Sequence, residues 1–241
     1  MKLISLNIWG GKVFEPLINF IKQEYKTTDI FCFQEVFNEG YKPVYEGARL
    51  NVFSEIASTI TGFKGYFSPC QDNFGLGCFV KGNLKAAVED VFIYGEKDRM
   101  IKDDKSTIPR NLQIIKPALK DKDLTLFNYH GIWRPESKSD DADRLEASDK
   151  IKKIMQNNPG AKILCGDFNL LPDTKSLAIL EDGMTNLIKK FNIKSTRSKL
   201  YTKEHKFADY MIVSPDVKVI NFEVLRDVVS DHLPLLLKFE L

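Results

Sequence analysis

The sequence is short of several things, and each shortage closes a route. It has almost no excess of one charge: 35 Lys and Arg stand against 33 Asp and Glu, a formal +2. A protein that coats nucleic acid through bulk charge carries a clear basic excess, so phosphate recognition here has to be local. No apolar run nears the ~20 residues of a membrane span. The amino terminus enters KLISLNIWGG without the long apolar stretch of a signal peptide. The expectation is a soluble, cytoplasmic protein with no stable membrane association. The four cysteines (Cys32, Cys70, Cys78, Cys165) are scattered, with no C-x-x-C pair, and Cys32 and Cys165 sit inside apolar runs. That argues against a cysteine zinc site and for small buried hydrophobes. The chain also lacks G-x-G-x-x-G, G-x-x-x-x-G-K-[ST] and G-x-S-x-G. Phosphate-cradling glycine loops and a serine nucleophile elbow have nothing to stand on.

What is present is a rapid alternation of strand-like and helix-like segments along all 241 residues, without repeat or linker, as expected of one domain over 1–241. KLISLNI alternates polar and apolar and reads as a strand that Gly10-Gly11 breaks. Phe14, Leu17, Ile18, Ile21 and Tyr25 share one helical face. DIFCFQE has the bulk of a strand covered on both faces, and helical periodicity returns over about 47–61. Strand patterns follow in GYFSPC, FGLGCFVK and KAAVEDVFIYG, then a hairpin of RNLQIIKPALK and DLTLFNYHGIW. A polar helix over about 140–155 precedes the buried strand AKILCGD, and 175–190 reads as helix. KFADYMIVS, VKVINFEVL and PLLLKFEL close the chain as strands. Hairpins with interspersed helices predict two stacked sheets with helices outside.

The chemistry-bearing residues fall at the ends of those apolar strands. Asn7 ends the first, Glu35 the second and His130 the hairpin. Asp167 and Asn169 follow ILCG, Asp209 opens DYMIV, and Asp231-His232 precede the last strand. A polar group there is held rigidly yet faces a cleft. The set is oxygen donors with imidazole and no thiolate, which suits Mg²⁺ or Mn²⁺ better than zinc. Carboxylates beside a dication, with amide donors and a base, are what phosphoryl transfer uses. Singly, each residue also has a structural reading: Asp167 as a turn residue, Asp231 as a cap, His232 as a satisfied core imidazole.

Their order, LNxW…QEV…NxHxxW…GDFN…DYMIVS…SDH, resembles the endonuclease/exonuclease/phosphatase superfamily over essentially the whole chain. The resemblance implies a deoxyribonuclease I-like α/β fold: a four-layer α/β/β/α sandwich of two mixed, mainly antiparallel sheets. It also implies cleavage of phosphoester bonds with Mg²⁺ or Mn²⁺. By motif position Glu35 is the principal metal ligand, with Asn7 beside it and Asp231 as a second, weaker one. Asp167 and Asn169 position water and contact phosphate, His130 stabilises phosphate charge, and His232 is the base or a phosphate contact oriented by Asp209. Whether Asp167 or His232 takes the proton stays open. One departure is Trp9, where many DNA-repair members carry an acid.

For the substrate, His130-Gly131-Ile132-Trp133-Arg134-Pro135-Glu136 resembles the H-x-x-W-x-P-E stretch of the deadenylase branch. Trp9 and Trp133 are candidate stacking surfaces, and Arg110, Arg134 and Arg197 candidate phosphate contacts. The basic run KSTRSKLYTKEHKF could track a nucleic-acid backbone. The favoured expectation is a monomeric nuclease or nucleic-acid-end phosphodiesterase. The alternatives are a phosphodiesterase or phosphatase on a lipid or small-molecule phosphoester, and a non-catalytic binding module.

Overall fold

A computed structural model of the chain describes residues 1–99, 108–120, 122–135 and 137–241. The first half comprises β1 (Lys2–Asn7), α1 (Phe14–Glu24), β2 (Ile30–Phe37), α2 (Val52–Thr59), β3 (Phe63–Gln71) and β4 (Phe74–Lys81). Then come β5 (Ala86–Tyr94), β6 (Arg110–Pro117), β7 (Leu124–His130), α3 (Ala142–Gln156), β8 (Ala161–Asp167) and α4 (Lys175–Glu181). The chain ends with β9 (Thr185–Asn186), α5 (Leu187–Lys190), β10 (Asp209–Val213), β11 (Lys218–Val224) and β12 (Leu235–Glu240).

The strands form two six-stranded sheets, ordered β11-β12-β1-β2-β4-β3 and β5-β6-β7-β8-β10-β9. Each is antiparallel apart from one central parallel pair, β1/β2 in the first and β7/β8 in the second. Parallel neighbours require a crossover, and α1 and α3 supply it. β2 meets β7 and β8 across the interior. The expected α/β/β/α sandwich is what the chain forms.

Alternation along β1 decides where its last residue points. Ile4 and Leu6 pack with Leu17 and Ile21 of α1 and Ile56 of α2. Leu3 joins the cluster that holds Leu126 and Ile163 of the second sheet. Asn7 shares the Leu3 side, because successive strand residues face opposite ways. It therefore points between the sheets. Buried amides bridge that layer. Gln34 Nε2 donates to Asn128 Oδ1 (2.6 Å), Asn128 Nδ2 to Gln113 Oε1 (3.1 Å), and Gln113 Nε2 to Ser68 Oγ (3.0 Å). A buried network of this kind ties the register of one sheet to the other. All four cysteines are buried and unbridged.

Two helical expectations need correction. The second helix starts at Val52, not near residue 47. Gly47 is left-handed (φ 83°), and Arg49 N–H is committed to Gly10 O at 2.8 Å, which holds the preceding segment as a loop. The 175–190 helix is two short ones: Gly183 (φ 73°) ends α4, and β9 pairs with β10 before α5 begins. Among the described residues no helix is long and apolar enough to cross a membrane.

Candidate active site

Asn7 closes β1, Glu35 lies near the end of β2, and His130 and Asp167 close β7 and β8. The two parallel pairs thus send four polar side chains from their carboxyl ends to one place, where diverging loops leave a crevice. Glu35 needs a special device to get there. Strict alternation would turn it toward the helices, as it does Phe31 and Phe33. A bulge between Phe33 and Val36, with Glu35 at φ 57°, re-aims the carboxylate.

The GDFN segment is explained residue by residue. Gly166 has φ 137°, and a Cβ there would sit 2.0 Å from Tyr129 O of the neighbouring strand. Asp167 pairs with His130 on one side and Asp209 on the other. Its Oδ1 accepts from Asn169 N–H at 2.9 Å, folding the chain back as an Asx turn. Phe168 is buried between Tyr129 and Tyr210. Asn169 takes φ 54°, which Asn tolerates better than most residues.

The side chains then interlock. Asn7 Nδ2 donates to Glu35 Oε1 (2.9 Å) and, across the sheets, to Asp167 Oδ2 (3.0 Å). Its oxygen accepts from Trp9 N–H at 2.9 Å. In this rotamer Asn7 offers its nitrogen to both carboxylates and clamps them together. Burial pushes the Glu35 carboxyl up, against hydrogen bonds from Asn7 and the Tyr45 hydroxyl that favour its charged form. Burial would raise Asp167 too, but His232, Lys138 and His130 outweigh it and hold that carboxyl well below the usual range.

The two histidines are set in opposite states. Arg110 Nη1 lies 3.3 Å from His130 Nδ1. Arginine only donates, so Nδ1 accepts and the ring proton sits on Nε2, which is 3.8 Å from both Glu35 Oε1 and Asp167 Oδ2. Burial and Arg110 push His130 well below an ordinary histidine. It is a neutral donor. His232 gives its Nδ1 proton to Asp209 (2.8 and 2.9 Å), and Thr196 donates to the same carboxylate at 2.8 Å. Burial and Arg197 lower its basicity, but Asp209, Asp231 and Asp167 prevail and the net shift is upward. Its Nε2 contacts Arg197 Nη1 and lies 3.5 Å from Asp167 Oδ2. With Nδ1 protonated, Nε2 is the accepting nitrogen of the ring, and in this structure Arg197 Nη1 donates to it.

Glu35, His130 and Asp167 bring ligand atoms within 4.8 Å of one another, as do Asp167, Asp209 and His232. A desolvated carboxylate beside a second one fits a hard dication. The His130 tautomer makes that ring a donor, so Glu35 and Asp167 are the pair suited to hold the metal. Asp231, expected as a metal ligand, faces Arg197 Nη1 at 3.0 Å.

These groups floor a cleft of about 760 Å³, whose walls include Trp9, Trp133, Arg110, Arg197 and Tyr201. Trp133 is 44% exposed with Lys203 Nζ 5.8 Å from its ring, and Lys12 lies 4.5 Å from Trp9. Arg134 is a correction. It does not line the cleft; it is tied to Asp141 (3.1 Å) and Asp143 at the start of α3. Glu136 lies outside the described residues. Sequence reasoning passed over Tyr45, which donates to Glu35, and Lys138, which donates to Asn169 Oδ1 at 2.8 Å. Burial brings Lys138 down to about 8. Neither position carries a local signal, since both stand in aperiodic polar segments.

A model of the Endonuclease/Exonuclease/phosphatase family matches residues 4–232. The chain belongs to this family. It is accordingly a hydrolase of phosphoester bonds. No curated protein matches the chain significantly. Among solved structures, a family protein of Bacteroides thetaiotaomicron is 18% identical with a TM-score of 0.76, covering 99% of this chain and 94% of its own. A mannosyl-6-phosphatase of the same organism is 18% identical (TM-score 0.74), with both chains fully covered. D. rerio TDP2, solved with a single-strand DNA product, is 14% identical (TM-score 0.70), covering 100% of this chain and 99% of its own. At such identities these endonuclease/exonuclease/phosphatase structures show a shared fold.

Proposed function

We propose that the chain is a Mg²⁺- or Mn²⁺-dependent hydrolase that removes or cleaves a phosphate carried at a nucleic-acid end. The observation that carries this reading is the junction of the Glu35–Asp167 carboxylate pair with the Asp209–His232 dyad, 3.5 Å apart at Asp167 Oδ2 and His232 Nε2. A dication held by Glu35 and Asp167 would neutralise phosphate charge. His232 takes a proton from water through Nε2 once Arg197 yields that nitrogen, and Asp209 holds the ring in the tautomer with Nε2 unprotonated. His130 Nε2–H and the Asn169 amide donate to phosphate oxygens as charge builds on them. Asn7 keeps the two carboxylates in place.

An end is favoured over the middle of a duplex because the loop carrying Val44 and Tyr45 and that carrying Leu200–Lys203 both wall the cleft. Trp9, Trp133 and Tyr201 offer ring faces beside cationic Lys12, Lys203 and Arg197. Base–aromatic stacking contributes about 1–3 kcal/mol per base and does not depend on sequence. A sugar phosphate is the second reading, favoured by the mannosyl-6-phosphatase that shares the fold.

The test is a substrate panel of phosphorylated and tyrosylated DNA ends, single-stranded DNA, poly(A) RNA, plain duplex and hexose phosphates. Turnover is expected with Mg²⁺ or Mn²⁺ and should stop on chelation. Glu35→Gln and Asp167→Asn should each abolish it. Activity surviving both changes would remove this site from consideration, and turnover of hexose phosphates alone would select the second reading.

A further inference from the structure

Among the described residues, two cations deep in the cleft make no ion-pair contact with a carboxylate. Arg110 on β6 is 4% exposed, and Lys138, in the loop before α3, is 6% exposed. Their side-chain partners among the described residues are neutral, His130 Nδ1 for Arg110 and Asn169 Oδ1 for Lys138. Arg110 Nε, although buried, has no partner. Both residues line the cleft. A buried charge with no carboxylate in contact is costly, and a site keeps one where a ligand brings the opposite charge within reach. The contrast with the neighbouring arginines is direct: Arg197 is paired with Asp231, and Arg134 with Asp141 and Asp143.

Each cation also backs a neutral donor. Because Arg110 donates to Nδ1, the His130 proton is on Nε2. Because Lys138 occupies Asn169 Oδ1, the other end of that amide is its N–H₂. The result is two arms, cation behind donor, reaching the floor from different elements.

We propose that Arg110–His130 and Lys138–Asn169 form a cradle for a terminal, dianionic phosphate, so that the substrate is a phosphomonoester. The inference rests on the phosphoester-hydrolase reading of this same site and narrows it. A monoester presents three non-bridging oxygens and two negative charges, whereas a diester presents two oxygens and one charge. Two cations with no carboxylate in contact match the first. In the reaction the water oxygen bonds to phosphorus and the phosphorus–oxygen bond to the organic group breaks. The electron pair leaves with the organic oxygen. The proton lost from water passes to the base, which returns it to that oxygen to give an alcohol. The products are inorganic phosphate and the alcohol, with no further reactant.

The test compares p-nitrophenyl phosphate with bis(p-nitrophenyl) phosphate in Mg²⁺ and Mn²⁺. The wild type should favour the monoester in kcat/KM by about tenfold or more. Arg110→Met and Lys138→Met should each cut monoester turnover by about ten- to a hundredfold, the worth of one charged hydrogen bond, and diester turnover by a clearly smaller factor. Lys138→Arg should restore part of the loss. A diester preference in the wild type, or equal losses on both probes, would overturn the proposal. Calorimetric titration of inorganic phosphate gives a readout without turnover: binding should weaken about tenfold in either Met variant, and absence of binding to the wild type would also overturn it. If neither probe is hydrolysed, the hydrolase reading fails, and the phosphate titration alone decides the cradle. If the variants do not fold, the wild-type preference and titration decide it.

Discussion

Asp209→Asn isolates the role of the dyad. The carboxylate lies 2.8 and 2.9 Å from His232 Nδ1 and is itself buried. An asparagine keeps the shape and an oxygen for Thr196, but it removes the charge and can present N–H₂ to the ring. Taking the charge centres as about 4 Å apart at an effective dielectric of 20, the lost attraction is at most about 4 kcal/mol, or roughly three pH units of basicity. The sign is fixed: His232 is now raised above an ordinary histidine, so losing Asp209 lowers it. The acid limb of kcat/KM should move to lower pH. The plateau should also fall, because an amide facing Nδ1 favours the tautomer with its proton on Nε2, the nitrogen that must accept. Replacing the orienting carboxylate of such a dyad costs up to about 10⁴-fold where the tautomer is lost, and a drop of at least 10²-fold is expected here. The assay is a pH–rate profile of both proteins on the best substrate, with matched thermal melts to show retained folding. A plateau within about threefold of wild type, or an acid limb moving upward, would refute His232 as the base and leave Asp167 in that role.

Three other outcomes follow from the same geometry. Glu35→Gln should stabilise the metal-free protein, because it removes a desolvated carboxylate. It should also abolish the gain on adding Mn²⁺, which at a hundredfold excess over Kd is worth about 2.7 kcal/mol in the wild type, or about 5–10 °C in Tm. A wild-type Tm indifferent to Mn²⁺ would count against the metal reading. His130 is held neutral well below 6.5, so its contribution to stability is full above that pH and shrinks below it as the unfolded chain takes up the proton. His130→Gln should therefore flatten the fall in stability between about pH 6.5 and 5 by up to about 1.4 kcal/mol per unit, read by denaturant melts at each pH. Gly166→Ala should cost about 3 kcal/mol or more, since Cβ would meet Tyr129 O at 2.0 Å at a φ of 137°. An unchanged Tm would show that the β7/β8 junction can give.

Much of the site was legible because its residues sit at breaks in strong patterns. Asn7, His130 and Asp167 each end an apolar strand and Glu35 lies two residues short of the end of one, and a polar group at that position has few ways to be buried idly. The fold followed from the same periodicities. What stayed hidden depends on contacts between segments with no period. Tyr45 reaches Glu35 from a loop held by Gly10 O and Arg49 N–H, a link that neither segment announces. Lys138 meets Asn169 across 31 residues of sequence. Arg134, read as a phosphate contact, finds Asp141 and Asp143 as soon as α3 forms, and that helix start is a local event whose consequence for a preceding arginine depends on the loop path. The bulge that turns Glu35 inward is equally silent. Without it the carboxylate would face α1 and α2.

The near balance of charge takes on a different meaning once the cleft is laid out. The two halves of the chain repeat one device, a parallel strand pair bridged by a helix: β1-α1-β2 and β7-α3-β8. The first contributes Asn7 and Glu35, the second His130 and Asp167, and only the stacking of the sheets brings Asn7 to Asp167. Neither half contains a complete site. Of the cations in the same crevice, Arg110 comes from β6 and Arg197 from a loop, both outside these units, while Lys138 comes from the loop between β7 and α3. Acids and bases are therefore concentrated in one crevice with little effect on the total. The formal +2 is a total over the whole chain, while affinity for phosphate depends on how those groups are paired in the cleft. Added salt should accordingly weaken substrate binding far less than it weakens a protein that tracks a long duplex through many exposed lysines. A salt slope corresponding to six or more phosphate contacts would contradict that view, because the cleft has room for a few charged groups only.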